Sequence, residues 1–193
     1  MADRELAIVA QNLELPSPPY VYRNVTALLF ESDGSENSLL IGRFQGTPVG
    51  DFDEIWFLRK RKPMDYDLRD IYVNNAQRCE AGRRIWRMPK HMASIDLEGD
   101  VSKGLRSQFI SNAATGELAI QLMREPSYRT EPLSAISLRS DDRNWTRLSF
   151  PTNSRWRHAI AGGVDGISGD IIEGRALIIC GKCTLQQPEV DTL

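Results

Sequence analysis

The sequence consists largely of short stretches typical of β-strands, and this pattern is its strongest constraint on the fold. Each stretch is rich in β-branched or aromatic residues, or alternates between apolar and polar residues. The stretches are YVYRNVTALLF, SLLIGRF, EIWFLRK, DIYVNN, MASIDLEG, GLRSQFIS, GELAIQLM and ALIICGKCTL. Turn-forming pairs such as Asp33-Gly34 and Thr115-Gly116 separate several of them. The pattern predicts a β-barrel or a β-sandwich.

Helical patterns are confined to two segments. Residues 3–13 are predicted to form a short amphipathic helix, which the prolines of LPSPPY would end. Residues 74–84, NNAQRCEAGRR, are predicted to form an internal helix with Asn74 or Asn75 as its N-cap and Gly82 at its end. The glycine-rich stretch 160–170 is predicted to be a loop. A chain of 193 residues is expected to form one domain, spanning 1–193.

The charge distribution gives no indication of a polyanionic partner. The formal net charge is −2, and acidic neighbours offset the basic run RKRK at 59–62, which is interpreted as a solvated strand end. The first residues lack the basic and apolar regions of a secretion signal, and no stretch has the roughly 20 apolar residues of a membrane span. We therefore expect a cytoplasmic protein that binds neither nucleic acid nor membrane.

The three cysteines, Cys79, Cys180 and Cys183, are interpreted as free structural thiols. Cys180 and Cys183 have the spacing of a redox pair, but such a pair is usually activated at a helix N-terminus, and ALIICGKCTL is predicted to be a strand. A zinc site needs four ligands, and the remaining candidates have no recognisable spacing. The sequence predicts no metal site and no cofactor.

Lys90 lies in surroundings that differ from those of the other lysines. The chain has five lysines and nineteen arginines, and the other four lysines lie beside charged or turn residues. Lys90 instead follows Pro89, with Trp86, Met88 and Met92 nearby as a potential apolar wall. It is either a lysine whose stem covers apolar surface while its amine reaches water, or a buried amine nucleophile.

The second interpretation requires a large decrease in the pKa of Lys90. A free lysine, with a pKa of about 10.4, is neutral in only about one molecule in 2,500 at pH 7, and only the neutral amine attacks a carbonyl. Burial can lower the pKa of a lysine by about 3 to 5 units, which is sufficient. The adjacent His91 is expected on the opposite face of an extended segment. If the backbone bends after Pro89, His91 could instead serve as a hydrogen-bonding group beside the amine.

The string EAGRRIWRMPKHMASI, residues 80–95, resembles the acetoacetate decarboxylase superfamily. In that superfamily a short helix leads through an alanine-glycine-arginine step to a proline and two lysines, the first of which forms a Schiff base. By this resemblance Lys90 occupies the imine-forming position, and His91 replaces the second lysine. The resemblance implies an α+β, β-rich fold, namely a cone-shaped β-barrel with a few short flanking helices, commonly assembled into homo-oligomers.

Two further segments resemble the same superfamily. GDFDEIWFL places Glu54 at the position of a pocket carboxylate, with a pKa expected to be raised by burial. PPYVYRNV makes Arg23 a candidate for binding a substrate carboxylate, and Arg83 is a second candidate. The predicted catalytic residues are thus Lys90 and Glu54, and the predicted substrate-binding residues are Arg23, Arg83 and His91.

The resemblance implies a lyase that forms a Schiff base with a small carbonyl or keto acid substrate, with decarboxylation of a β-keto acid as the leading reaction. The same imine supports an aldolase, dehydratase or cyclase acting on a larger, secondary-metabolic carbonyl compound. Trp56, Trp86 and Tyr72 would then line a wider pocket, although they also fit a role in the core. A non-catalytic barrel that binds small molecules is the third alternative.

Overall fold

The computed structural model describes residues 14–123, 135–150, 155–162 and 172–190. This part of the chain forms twelve strands and one helix. The predicted helix at 3–13 lies outside it, as does the predicted loop at 160–170 apart from residues 160–162, which belong to a strand. The strands are β1 Tyr20–Ser32, β2 Asn37–Gln45, β3 Phe52–Lys62, β4 Asp65–Val73, β5 Lys90–Asp100, β6 Gly104–Ser111, β7 Thr115–Leu122, β8 Ala135–Arg139, β9 Asn144–Ser149, β10 Arg155–Gly162, β11 Ile172–Leu185 and β12 Glu189–Val190; the helix is α1 Ala76–Trp86.

The strands form one highly connected sheet. Its order is β12-β9-β8-β4-β3-β2-β1-β11-β10-β7-β6-β5, and two additional pairings, β4 with β5 and β9 with β11, join strands that are distant in this order. The pairing of β4 with β5 closes a ring of hydrogen-bonded strands running from β4 through β1 and β11 to β5. The prediction of a β-rich fold built on a closed sheet is confirmed, and the described residues contain a single flanking helix.

Alternation along the strands builds two apolar cores. One core contains Trp56 and Trp86, and the other contains Tyr72, so the described structure places these three aromatic residues inside the protein. Trp56 and Trp86 are almost completely buried. In the basic run at 59–62, Arg59, Arg61 and Lys62 are exposed and pair with Asp67 and Asp65, as predicted for a solvated strand end. Lys60 is only partly exposed and pairs with the buried Glu31.

Helix α1 begins at the predicted cap but does not end at Gly82. Oδ1 of Asn75 accepts a hydrogen bond from the backbone N–H of Arg78 at 2.8 Å, which satisfies a free donor of the first turn. The helix continues through Gly82 to Trp86, and Arg87 adopts a left-handed conformation, with φ of 53°, as its C-cap. Gly82 is therefore not the end of the helix; it lies against the stem of Lys90.

The cysteines have the environment of structural thiols. Cys79 and Cys183 are buried and Cys180 is exposed, and all three are free. Burial raises the pKa of Cys183 to about 12, so its reactive thiolate form is rare at neutral pH.

No helix in the described ranges has the length and apolar character needed to cross a membrane.

Candidate active site

Lys90 is the first residue of β5, at the point where α1 returns to the sheet. It pairs with Ile71 on the parallel strand β4, while the backbone N–H of Met88 donates to the carbonyl of Gly82 at 3.0 Å and closes the turn after the helix. Only 1% of Lys90 is exposed. A lysine that had extended its amine to water would be more exposed, so the buried interpretation is the one that the geometry supports.

Gly82 makes room for the stem of Lys90. A Cβ atom built on Gly82 would overlap Cδ and Cε of Lys90. Both residues are buried, and the next side chain, Arg83, lies on the outside, where its Nε donates to the carbonyl of Lys90 at 2.7 Å. The alanine-glycine-arginine step thus gives the lysine space and fixes its backbone.

Glu54 accepts a hydrogen bond from the amine of Lys90. The bond joins Nζ of Lys90 to Oε1 of Glu54, and neither side chain is accessible to solvent. The other carboxylate oxygen, Oε2, accepts from Nε1 of Trp56 at 2.8 Å. Glu54 and Trp56 are two residues apart on β3, so they lie on the same face of the sheet. The structure brings Glu54 and Lys90 together.

Arg78 is a second cation in the site, and the sequence-based prediction missed it. Its Nε donates to Oε1 of Glu54 at 3.1 Å, and it is completely buried. A signal was present, because Arg78 lies four residues before Gly82 and therefore on the helix face that meets Lys90. It was missed because an arginine in a helix is usually solvated.

Three aromatic rings surround the guanidinium of Arg78. Its Cζ atom lies 5.7 Å from the ring centroid of Tyr22, 5.3 Å from that of Phe52 and 5.6 Å from that of Trp86. These distances are within the range of cation–π contacts. The rings thus pack around the guanidinium, and its Nε hydrogen-bonds to Glu54.

Polar groups of this cluster remain without partners. Within the described residues, Nη1 and Nη2 of Arg78 and the hydroxyl of Tyr22 are buried and form no hydrogen bond. Buried polar groups are hydrogen-bonded in the large majority of cases. Three such atoms in one cluster make it a candidate site for a polar ligand.

The surroundings bring the pKa of Lys90 to about 7. Burial is the main cause, and the positive charge of Arg78 adds to it, while the carboxylate of Glu54 acts in the opposite direction. Burial also acts to raise the pKa of Glu54, but Arg78 and Lys90 outweigh it and hold this pKa below its usual value. The expectation of a raised pKa for Glu54 was therefore wrong, because its two cationic neighbours were not considered together.

The structure does not bring His91 to the amine. His91 is on the opposite face of β5, as expected for an adjacent residue in an extended segment. Its Nε2 lies 2.9 Å from Oδ1 of Asp70, and its ring centroid lies 5.3 Å from that of Tyr72. The cation that lowers the pKa of Lys90 is thus Arg78. His91, which the resemblance put in the position of a second lysine, does not reach the amine.

The other two predicted substrate-binding residues also lie elsewhere. Arg23 is exposed, at an irregularity in the pairing of β1 with β11, and its side chain lies against Gly46. Arg83 is exposed and contacts the backbone of Lys90 and not its amine.

Among the described residues, no group of three or more histidine, cysteine, aspartate or glutamate side chains is placed to hold a metal ion.

Similarity to known proteins is found at the level of structure. No protein-family model matches the chain, and no curated protein matches it. The fold is similar to an acetoacetate decarboxylase from Legionella pneumophila, with 12% identity, a TM-score of 0.53 and coverage of 96% of this chain and 95% of that chain.

Two further solved structures give a similar result. An acetoacetate decarboxylase structure has 12% identity and a TM-score of 0.58, covering 94% of this chain and 92% of that chain. An acetoacetate decarboxylase-like enzyme from Sphingomonas wittichii RW1 has 8% identity and a TM-score of 0.64, covering 94% of this chain and 96% of that chain. At these identities the similarity establishes the fold.

Proposed function

We propose that this chain, which has the acetoacetate decarboxylase-like fold, is a lyase that forms a Schiff base between Lys90 and a keto acid, most simply to decarboxylate a β-keto acid. The observation that carries the proposal is a completely buried amine with a pKa of about 7, hydrogen-bonded to Glu54. About half of such amines are neutral at pH 7, about a thousandfold more than for a free lysine.

In the proposed reaction, neutral Nζ of Lys90 attacks the ketone carbon, and loss of water together with the uptake of one proton gives a protonated imine. The bond between the α-carbon and the carboxylate then breaks, and its electron pair moves toward the imine nitrogen, giving an enamine and carbon dioxide. Protonation of the enamine carbon and hydrolysis release the ketone and restore the amine. In this proposal Glu54, which contacts Nζ, accepts the proton that Lys90 loses and returns it.

The charges in the site support an anionic substrate. With neutral Lys90, the charges of Glu54 and Arg78 cancel, and a protonated imine formed on a neutral ketone would leave one uncompensated positive charge in a buried site. Such a charge is costly. The carboxylate of a keto acid cancels it, and loss of carbon dioxide removes both new charges together. The buried site is thus electrically balanced for a substrate with one negative charge.

Reductive trapping tests the proposal. The protein is incubated with acetoacetate and borohydride, and the modified peptide is located by mass spectrometry. We expect one adduct on Lys90, which is absent in Lys90→Ala. An unmodified protein, or an adduct that persists in Lys90→Ala, would contradict the proposal and favour a barrel that only binds small molecules. Because Lys90 is buried, a substrate enters only when neighbouring side chains move.

A second reaction, of the aldolase, dehydratase or cyclase type, is supported by Arg78. An arginine that binds the substrate carboxylate has to release it when carbon dioxide leaves, which removes a charge-assisted contact of about 1.5–3 kcal/mol. Aldol chemistry on a keto acid keeps that carboxylate. Carbon dioxide release distinguishes the two: a decarboxylase produces gas with trapped imine, and an aldolase traps the imine without gas.

A further inference from the structure

We propose that Arg78 and Tyr22 form the binding site for the carboxylate of the keto acid substrate, beside the amine of Lys90. The proposal rests on the function proposed above and specifies which residues recognise the acid. It assigns this role to a helix residue and a β1 residue that the sequence-based prediction did not consider, in place of Arg23 and Arg83.

The first argument is the hydrogen-bonding capacity of Arg78. Its Nε is occupied by Glu54, whereas Nη1 and Nη2 have no partner in the described part of the chain. These two nitrogens carry four N–H groups in one plane, and together they match the two oxygens of a carboxylate. Leaving such donors unpaired in the interior is costly, so a bound carboxylate would supply the hydrogen-bond acceptors that Nη1 and Nη2 lack.

The second argument is that Tyr22 adds a donor of the right kind. Its hydroxyl is buried and unpaired, and its ring centroid is 5.7 Å from Cζ of Arg78. Burial raises the pKa of Tyr22, which therefore stays protonated and can donate to an anion. A neutral ketone offers no second acceptor for these donors, whereas a keto acid does.

The third argument is pre-organisation. Phe52 and Trp86 contact the guanidinium of Arg78 in addition to Tyr22, and Glu54 holds its Nε. Glu54 also binds the amine of Lys90, so one carboxylate sets the position of both cations. Because Glu54 holds both cations, it sets the distance between the carboxylate-binding nitrogens of Arg78 and the amine of Lys90, and thereby the distance between the acid group and the carbonyl of a matching ligand.

The experiment compares keto acids with their uncharged methyl esters. Pyruvate, acetoacetate, levulinate and the methyl ester of each are titrated against the whole chain, well above the midpoint for ionisation of Lys90, and the borohydride-trapped imine is quantified. The measured quantity is the ratio of half-saturating concentrations for ester and acid. This ratio cancels any effect of a variant on the reactivity of Lys90 itself.

We expect the wild type to favour at least one acid over its ester. Arg78→Gln should reduce this preference about 10- to 100-fold, which is the value of hydrogen bonds to a charged group. Tyr22→Phe keeps the ring and should reduce this preference severalfold, because it weakens binding of the acid and not binding of the ester. Arg69→Gln, which alters an exposed arginine on β4, is the matched control. Arg23→Gln tests the rival assignment.

The outcomes separate the two proposals. If no carbonyl compound gives an adduct on Lys90, the proposed function fails. If acids and esters give equal adducts, or if Arg23→Gln and not Arg78→Gln removes the preference, the carboxylate site fails while imine formation stands. Should Arg78→Gln not fold, Arg78→Lys and Tyr22→Phe decide: a wild-type ratio in both would overturn the proposal.

Discussion

Gly82 of α1 lies directly against the aliphatic stem of Lys90, in space that a side chain at position 82 would need. A Cβ atom there would overlap Cδ and Cε of the lysine. Gly82 lies inside the helix and not at its end. A glycine inside a helix is destabilising by about 0.5–1 kcal/mol relative to alanine. Glycine is nevertheless required at this position, because any side chain would overlap the buried stem of Lys90.

Gly82→Ala should therefore destabilise the protein, although alanine is the better helix former. We expect a loss of about 1–3 kcal/mol in the free energy of unfolding, typical of overpacking. In a Lys90→Ala background the overlap is gone, and the same substitution should be neutral or stabilising by about 0.5–1 kcal/mol. Urea unfolding of the four proteins measures this; an equal loss in both backgrounds would show that the contact is unimportant.

The rate of imine formation should rise with pH around neutrality. Lys90, with a pKa of about 7, is protonated and inert below that value and neutral and reactive above it. The rate of trapping with a keto acid, measured as a function of pH, is expected to have its midpoint near 7. A midpoint near the ordinary lysine value of about 10.4 would show that the amine is solvated in the reactive state.

Glu54 and Arg78 should move this midpoint in opposite directions. The carboxylate of Glu54 raises the pKa of Lys90, and the guanidinium of Arg78 lowers it. Glu54→Gln should thus shift the midpoint to lower pH, and Arg78→Gln should shift it to higher pH. Circular dichroism of each variant checks that it is folded. Shifts in the same direction would mean that changes in burial, and not the two charges, dominate.

Substitution of His91 should leave the midpoint unchanged. His91 faces Asp70 on the other side of β5 from the amine. His91→Lys creates two adjacent lysines, but we expect the new charge to be solvated and to have no effect on Lys90. The pH dependence of trapping is again the measurement, and a shift to lower pH in His91→Lys would show that position 91 reaches the site.

Glu31 is expected to stabilise the fold at neutral pH and to lose this effect in acid. It is almost completely buried and accepts hydrogen bonds from Tyr66, from Lys60 at 2.8 Å and from Nη2 of Arg175 at 2.7 Å. Burial acts to raise its pKa, but these donors outweigh burial and lower the pKa below its ordinary value. The unfolded state therefore binds a proton first as the pH falls, and the stabilisation disappears when the pH falls through the folded-state pKa.

Glu31→Gln should cost about 1–3 kcal/mol at neutral pH, because three donors lose a charged acceptor. The difference from the wild type should shrink in acid, where Glu31 is protonated in both states. Glu117→Gln, which removes an exposed ion pair with Arg106, is the control and should change stability by about 1 kcal/mol or less. Equal effects of the two substitutions in urea unfolding would contradict the structural role of Glu31.

The sequence alone determined the strand-rich architecture and the special position of Lys90. Alternation along a strand and apolar neighbours in a segment are local properties, set by which side chains follow one another, and they can be read without knowledge of the fold. The position of His91 opposite the amine follows from the same local rule.

Only the tertiary structure decided the electrostatics of the site. Glu54, which the sequence offered as a pocket carboxylate, is on β3, and Arg78 is on α1; only the structure shows that Arg78 binds Glu54 beside the amine of Lys90. The pKa of Glu54 depends on this meeting, and so do the unpaired nitrogens of Arg78 and the space that Gly82 leaves. The physical reason is that charge interactions in a buried site depend on distance and desolvation, which long-range packing fixes.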